Sequence, residues 1–553
     1  MNLLKKFFFV NHKFFFLIII SLTLHLIAAY FSEGYYEQDE HFSILEPIIY
    51  KLGKNATLGW DFFYNYDKQW FLSFIFFYLI KFFIFCNIHS PFEWLFIIRI
   101  FTSLLGWISI ICLIHIANKK ITDQKFFNIF FYVVTLFWFY PYLHARPAPE
   151  NISISFFIIA VTLFIYFFKN KKLIFVCGLL LGLSFVIRYT NLFIIGSFGL
   201  WILFFYKYKL FDLFIMFIGF LFIVFLSLLI DYWGYEEFTL VLRNYFMLNY
   251  EWQKSHYFQS NTKEWWYSFY LIFKEFLPPL SIIIIISMII YWIRFPKNII
   301  TWITLPYFIF LCTLSHKETR FLFPILVFSP LFIIASFENL IVRGVNIFNK
   351  FFYYTFNRFF IKIIIGINIL ALIVLTIIPA NNSTLLYKFL YKNEYEFDKV
   401  YIFDANPYKK SELLINFYRN ENLSFTKILD YDECKKIQEY NYIRVKNKFN
   451  NDSKILTEYE EYKIEETQKY SYPNWIFAYY IKCNKESFFK YFPLEYVNNY
   501  FIVRNNQYVD YFENTQKSKC KMIYSTFPSW LYKINFYNWL ASITTWHVYK
   551  CNT

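Results

Sequence analysis

Long runs of Phe, Ile and Leu, each about 15–25 residues and mostly free of charge, alternate along this chain with short polar segments. Runs of that length and composition predict transmembrane helices. They fall at Phe14–Phe31, Phe92–Ala117, Phe126–Leu143, Ile152–Phe168, Leu173–Ile187, Leu192–Tyr206, Leu210–Ile230, Leu277–Ile293, Ile299–Leu314, Phe321–Phe337 and Ile361–Ile378. The pattern therefore predicts an α-helical polytopic membrane protein of about eleven spans. From Pro379 onward, Tyr, Ile and Phe alternate with charged residues and turn-forming Pro and Asn, which predicts a mixed α/β domain.

One further apolar stretch, Trp70–Cys86, is ambiguous, and charge decides how to read it. If it does not cross, the basic N-terminus and the segments 118–125, 169–172, 207–209, 294–297 and 338–360 all lie inside. Each carries at least two Lys or Arg, as the positive-inside rule requires. The outer face then receives 32–91, 144–151, 188–191, 231–276, 315–320 and the tail 379–553. The expected division is a membrane catalytic domain over 1–378 and an extracytoplasmic or lumenal domain over 379–553. The N-terminal segment, with Lys5, Lys6 and Lys13 ahead of Phe14–Phe31, has no clear small-residue cleavage site and reads as a signal-anchor helix.

Composition agrees. The chain is 58% hydrophobic, with mean hydropathy +0.37. The net charge of +15 is spread between hydrophobic runs, so it follows topology rather than nucleic-acid binding. Zinc-finger spacing, a Walker loop and GxGxxG are all missing from the sequence. Cys86, Cys112, Cys177 and Cys312 lie in apolar runs and read as packed thiols, whereas Cys434, Cys483, Cys520 and Cys551 lie in the tail. In an oxidising compartment those four form two disulfides in any of three pairings.

Two polar clusters on the expected outer face carry the candidate chemistry. Glu37, Asp39 and Glu40 place three carboxylates in four residues beside the first span. A carboxylate accepts the proton of an attacking hydroxyl, and adjacent carboxylates raise one another's pKa. Asp39 and Glu40 lead as catalytic residues, with Glu37 and Glu46 behind. A divalent cation stays open, because paired acids with Asn or His hold hard cations, but no residue is assigned to a metal and no cofactor is expected. His316, Lys317 and Arg320 put three cations within five residues between two spans, a compact anion site for a departing phosphate. Arg146 and Arg188 also lie on that face, within reach of a phosphate or snorkelling, and Glu150 is placed to pair with Arg146. The 231–276 segment mixes charge with Tyr and Trp, which suits sugar stacking or an interfacial belt.

These motifs resemble the multi-span mannosyltransferases of glycosyltransferase family 22, within the GT-C superfamily, whose members build GPI anchors and dolichol-linked glycans. Asp39-Glu40-His41-Phe42-Ser43-Ile44-Leu45-Glu46 is similar to the family's acidic signature. Gly59-Trp60-Asp61 looks like its tryptophan–acid element, and Gly178 to Gly182 through Arg188 like its arginine-ended helix. Asp231-Tyr232-Trp233-Gly234 resembles another shared block. His316-Lys317-Glu318-Thr319-Arg320-Phe321 is the most specific, being close to the family's HKExRF motif. The resemblance spans roughly the first 340 residues. It implies a GT-C-like fold and inverting transfer from dolichyl- or another polyprenyl-phosphate mannose to a glycan or glycolipid hydroxyl. Asp39 is then the base, with His316, Lys317 and Arg320 on the donor phosphate, and Glu46, Trp60, Asp61 and Glu318 join the substrate contacts. His144-Ala145-Arg146-Pro147 and Tyr50-Lys51-Leu52-Gly53 look closer to bacterial relatives. The implied membrane is the endoplasmic reticulum in a eukaryote and the inner membrane in a bacterium. The rival readings are a transferase of another sugar and a polytopic transporter, although the sequence has no repeat of the transporter kind. Asn55, Asn422 and Asn451 begin sequons on the expected outer face.

Overall fold

The protein is described by a computed structural model. It describes residues 12–393 except 64, 206–209, 255–261 and 344–356, and then 399–402, 406–410, 413–420, 423, 425–427, 499–504, 520–528 and 544–551. The chain divides into two compact units. The first comprises 1–32, 69–74 and 95–378; the second comprises 33–68, 75–94 and 379–553.

The first unit is helical. Among the described residues four helices are long and apolar enough to cross a bilayer: Lys13–Phe31, Pro91–Asn118, Pro149–Phe167 and Leu210–Tyr235. Two bent pairs qualify jointly, Leu280–Arg294 with Ile299–Thr313 at 118° and Thr319–Leu326 with Ser329–Ile341 at 51°, giving up to six. Phe71–Phe85, Tyr189–Phe205 and Ile361–Ile377 are shorter apolar helices. The apolar stretch expected at Phe126–Leu143 is not one helix. It forms Gln124–Thr135 and, after a turn, the short helix Tyr140–His144, which has Pro141 in its first turn, where a missing N–H is tolerated. The 231–276 segment, read as a loop, is largely helical: the helix from Leu210 runs on to Tyr235, and Val241–Lys254 and Tyr267–Glu275 follow.

Glycine sets the closest approach in this unit. A Cβ on Gly178 would stand 2.0 Å from the Met216 carbonyl oxygen, and one on Gly219 would stand 2.5 Å from that of Phe175. Helices 171–187 and 210–235 therefore touch backbone to backbone, the small-residue packing that lets apolar helices associate where no hydrophobic force drives them. Asp231 accepts the Trp70 N–H at 2.9 Å just ahead of helix Phe71–Phe85, and Gly234 lies against the Trp70 indole.

The second unit is α/β. A five-stranded sheet runs in the order Phe425–Lys427, Lys399–Ile402, Asn499–Arg504, Trp546–Cys551, Cys520–Ser525. The first three strands are parallel and the last two pairings antiparallel. Cys520 and Cys551 sit opposite one another on paired strands and form a disulfide; Cys434 and Cys483 lie outside the described residues, as do Asn422 and Asn451. Segment 33–68 packs into this unit rather than standing as a separate loop. The Glu33 carbonyl accepts from the Ala380 and Asn381 amides at 2.8 and 3.2 Å, and its carboxylate pairs with Lys388. Gly34 sits at φ +94°, where a Cβ would strike Thr384 Oγ1 and Asn381, so a side chain is excluded twice over.

Candidate active site

In the second unit the acidic segment forms a single helical turn, Gln38–Glu40, followed by a π-helical turn, His41–Leu45. Such turns redirect side chains and recur at functional positions. The acids on either side of the π turn, Asp39 and Glu40 before it and Glu46 after it, have different surroundings. Asp39 remains one-third exposed and lies 3.7 Å from Lys68 Nζ. Asp61, in the turn Trp60–Phe63, lies 3.4 Å from the same ammonium. Burial raises the Asp61 carboxyl pKa, Lys68 opposes that, and Asp39 adds to it. Asp67, whose backbone N–H donates to the Asp61 carbonyl at 3.2 Å, is buried, and its pKa is pushed up to about 7 by that burial and by Asp61.

Glu40 and Glu46 are placed differently. Glu40 is buried and accepts the Tyr36 N–H at 3.3 Å. Glu46 is wholly buried; it accepts from His41 Nε2 at 2.9 Å and from the amides of Thr57, Asn416 and Phe417 at 2.9, 2.6 and 3.0 Å. A carboxylate offers about four lone-pair sites, and these donors fill them. Glu46, expected among the substrate contacts, here ties the acidic segment to the turn at 416–417. The Trp60 side chain lies outside the described residues.

In the first unit the cations gather around two carboxylates. Helix Pro149–Phe167 opens with Pro149 and carries Glu150 in its first turn, where the helix dipole favours an anion. Helix Lys171–Ile187 ends at Arg188, where the dipole favours a cation. Glu150 receives Arg188 at 3.2 Å and Arg320 at 3.9 Å, and is itself 2% exposed. Glu318 binds Arg320 and, at 2.6 Å, His316. Burial alone would raise the Glu318 carboxyl pKa, but the hydrogen bond from His316 and the charge of Arg320 outweigh that and lower it. Arg188 and Arg320 both lie over the Phe321 ring, at 5.2 and 5.4 Å.

The HKExR segment is thus not a fork of three cations. His316 is more than half exposed and bonded to Glu318. Lys317 turns inward and donates to the carbonyls of Lys263, at 3.0 Å, and Leu314; burial lowers its pKa. Arg320 instead joins Arg188, an arginine 132 positions earlier in the sequence. Arg146 does not pair with Glu150: it donates to Ser32 Oγ at 2.7 Å and stacks on Tyr142 at 4.2 Å, with Nε and Nη1 buried and lacking an acceptor among the described residues. Lys68, Asp67 and the pairing role of Glu150 with two arginines were missed in sequence. Lys68 follows Asp67 directly and stands seven residues after Asp61, a signal visible in the sequence once an acidic site was suspected. Among the described residues no three His, Cys, Asp or Glu side chains are grouped as metal ligands.

A family model described as the Alg9-like mannosyltransferase family matches residues 15–404. No curated protein matches the chain. Among solved structures, the crystal structure of ArnT from Cupriavidus metallidurans bound to undecaprenyl phosphate is similar at 10% identity and a TM-score of 0.47, over 96% of this chain and 97% of that chain.

Proposed function

We propose, on the premise that this chain belongs to the Alg9-like mannosyltransferase family, that it moves mannose, or another hexose, from a polyprenyl- or dolichyl-phosphate sugar to a hydroxyl of a glycan or glycolipid. The chain is a glycosyltransferase and an integral membrane protein; the donor, the acceptor and the residue roles are the proposal. In the reaction the acceptor oxygen attacks the anomeric carbon from the face opposite the phosphate. Its proton passes to the Asp39 carboxylate as the sugar–oxygen bond breaks, and the electron pair leaves with the lipid phosphate. The anomeric centre inverts.

The observation that carries this reading is the pair of guanidiniums, Arg188 and Arg320, held on the buried Glu150. Two planar forks fixed by a carboxylate and an aromatic ring suit an anion whose charge grows in the transition state, because they need no reorganisation. Asp39 is the base by exposure, since Glu40 and Glu46 are buried in internal hydrogen bonds. Asp61 and Glu318 support their neighbours, His316 acts through Glu318, Lys317 fastens the loop, and Glu46 is structural. Among the described residues Arg146 Nε and Nη1 have no acceptor, which leaves these nitrogens to a phosphate.

The reading extends to topology. With 32–91, 231–276, 315–320 and 379–553 outside, as the positive-inside rule expects, the chemistry falls on the non-cytoplasmic face, of the endoplasmic reticulum in a eukaryote or the inner membrane in a bacterium. The test is transfer by the purified protein from dolichyl-phosphate mannose to a lipid extract, followed by mass spectrometry. Arg188→Ala and Arg320→Ala should each lower kcat/KM by about 10²–10³-fold. Unchanged kinetics in both variants overturns the phosphate assignment.

A further inference from the structure

Lys68 is the lysine of the acidic segment that stands among its aspartates. Its ammonium stands between Asp39 on the turn Gln38–Glu40 and Asp61 on the turn Trp60–Phe63, at 3.7 and 3.4 Å, and Asp67 is its chain neighbour. It is about three-quarters buried, as Asp61 is, whereas Asp39 is the more open of the two carboxylates. A lysine this sheltered loses water that the carboxylates must replace, so its position is fixed by them and theirs by it. Both carboxylates lie on this ammonium, and among the described residues the charges facing Lys68 include Asp39, Asp61 and Asp67, all within the second unit.

We propose that Lys68 is a positioning residue for the transfer reaction: it holds Asp39 and Asp61 apart on one ammonium and keeps the Asp39 carboxylate ionised and aimed to receive the acceptor proton. This rests on the reading of Asp39 as the base. The physical reason is that two carboxylates near one another resist ionising together unless a cation lies between them. Without Lys68 the negative charge of Asp61 would act on Asp39 unopposed, and the base would be neutralised at higher pH. With it, the base stays charged to lower pH. The lysine never touches the reacting atoms in this scheme; it transmits through Asp39. Arginine, with its charge at a similar reach, preserves the electrostatic part of the role, whereas a neutral side chain of the same length removes it.

The experiment measures kcat/KM against pH for the full-length protein in detergent, with dolichyl-phosphate mannose as donor and a lipid extract as acceptor. Lys68→Met and Lys68→Gln are compared with Lys68→Arg, and a thermal melt confirms that each variant is folded. The acid limb should move up by about one pH unit in Lys68→Met and Lys68→Gln, and return most of the way in Lys68→Arg. An acid limb unmoved in the folded neutral variant, or in both, overturns the proposal, and so does a limb that moves equally in Lys68→Arg. Asp39→Asn separates this from the underlying reading. If Asp39→Asn is inactive and the Lys68 variants leave the limb in place, the base stands and the lysine role falls. If Asp39→Asn transfers sugar at the wild-type rate, the base assignment falls, and the positioning role with it.

Discussion

At the scale of single residues, what separates the acids of this chain is what surrounds each one. Asp39 sits beside a lysine and solvent, Glu40 beside a backbone amide, and Glu46 among four donors. Asp39→Asn keeps size and shape and removes the proton acceptor, so transfer should fall by about 10²–10⁴-fold while the protein inserts and melts as wild type. Mass spectrometry of the product beside a melt checks both halves. Asp67 gives a pH prediction of opposite sign to the usual carboxylate. Its pKa is about 7 in the folded protein against an ordinary 3.8, so the folded state binds the proton more tightly. This stabilising effect is therefore lost as pH rises from about 4 to about 7. Asp67→Asn should raise the thermal midpoint, more at pH 7.5 than at pH 5. An equal gain at both pH values would remove the titration as the cause.

At the scale of elements, short turns and small residues decide more than the long helices do. Glu46→Ala leaves the amides of Thr57, Asn416 and Phe417 without their buried acceptor, a loss of about 3 kcal/mol or more. The second unit should melt earlier and become sensitive to protease, whereas Glu40→Gln should be milder, because the amide that replaces the carboxylate keeps an oxygen to accept the Tyr36 N–H. Among helices, Gly178→Val would place side-chain atoms where the Met216 carbonyl stands and force helices 171–187 and 210–235 apart. Overpacking of that kind costs roughly 1–3 kcal/mol. Gly199, with open space around its Cβ position, makes the control: Gly199→Ala, in the interior of a helix, should not lower the melt. The HKExR motif shows the same lesson in chemistry. As a string it reads as three cations, but the turn Thr319–Leu322 sends Arg320 to Glu150 while Lys317 is absorbed by carbonyl oxygens.

At the scale of the whole molecule, the acidic segment belongs to one unit and the arginine pair to the other. The proposed reaction needs both on the non-cytoplasmic side. In a Cys86→Ser parent, Lys54→Cys and Glu264→Cys occupy exposed positions near the two clusters, and Lys172→Cys an exposed position on a basic segment. A membrane-impermeant maleimide should label the first two from the same side and the third from the other. Labelling of Lys54→Cys and Glu264→Cys from opposite sides would end the single-reaction reading.

The membrane class and the family were legible in the primary structure, because hydrocarbon imposes long apolar runs and the family carries recognisable polar motifs between them. The motif around Asp39 and the HKExR segment stood out for the same reason. Helix breaks, the packing of 33–68 with the tail and the burial of Glu46 were not legible, since each depends on contacts between residues far apart in the chain: Glu46 with Asn416, Glu33 with Ala380, Arg188 with Arg320 on Glu150. A sequence fixes which charges exist. Tertiary structure alone decides which of them find partners, because the cost of burying a charge is settled by the donor or acceptor that folding delivers to it.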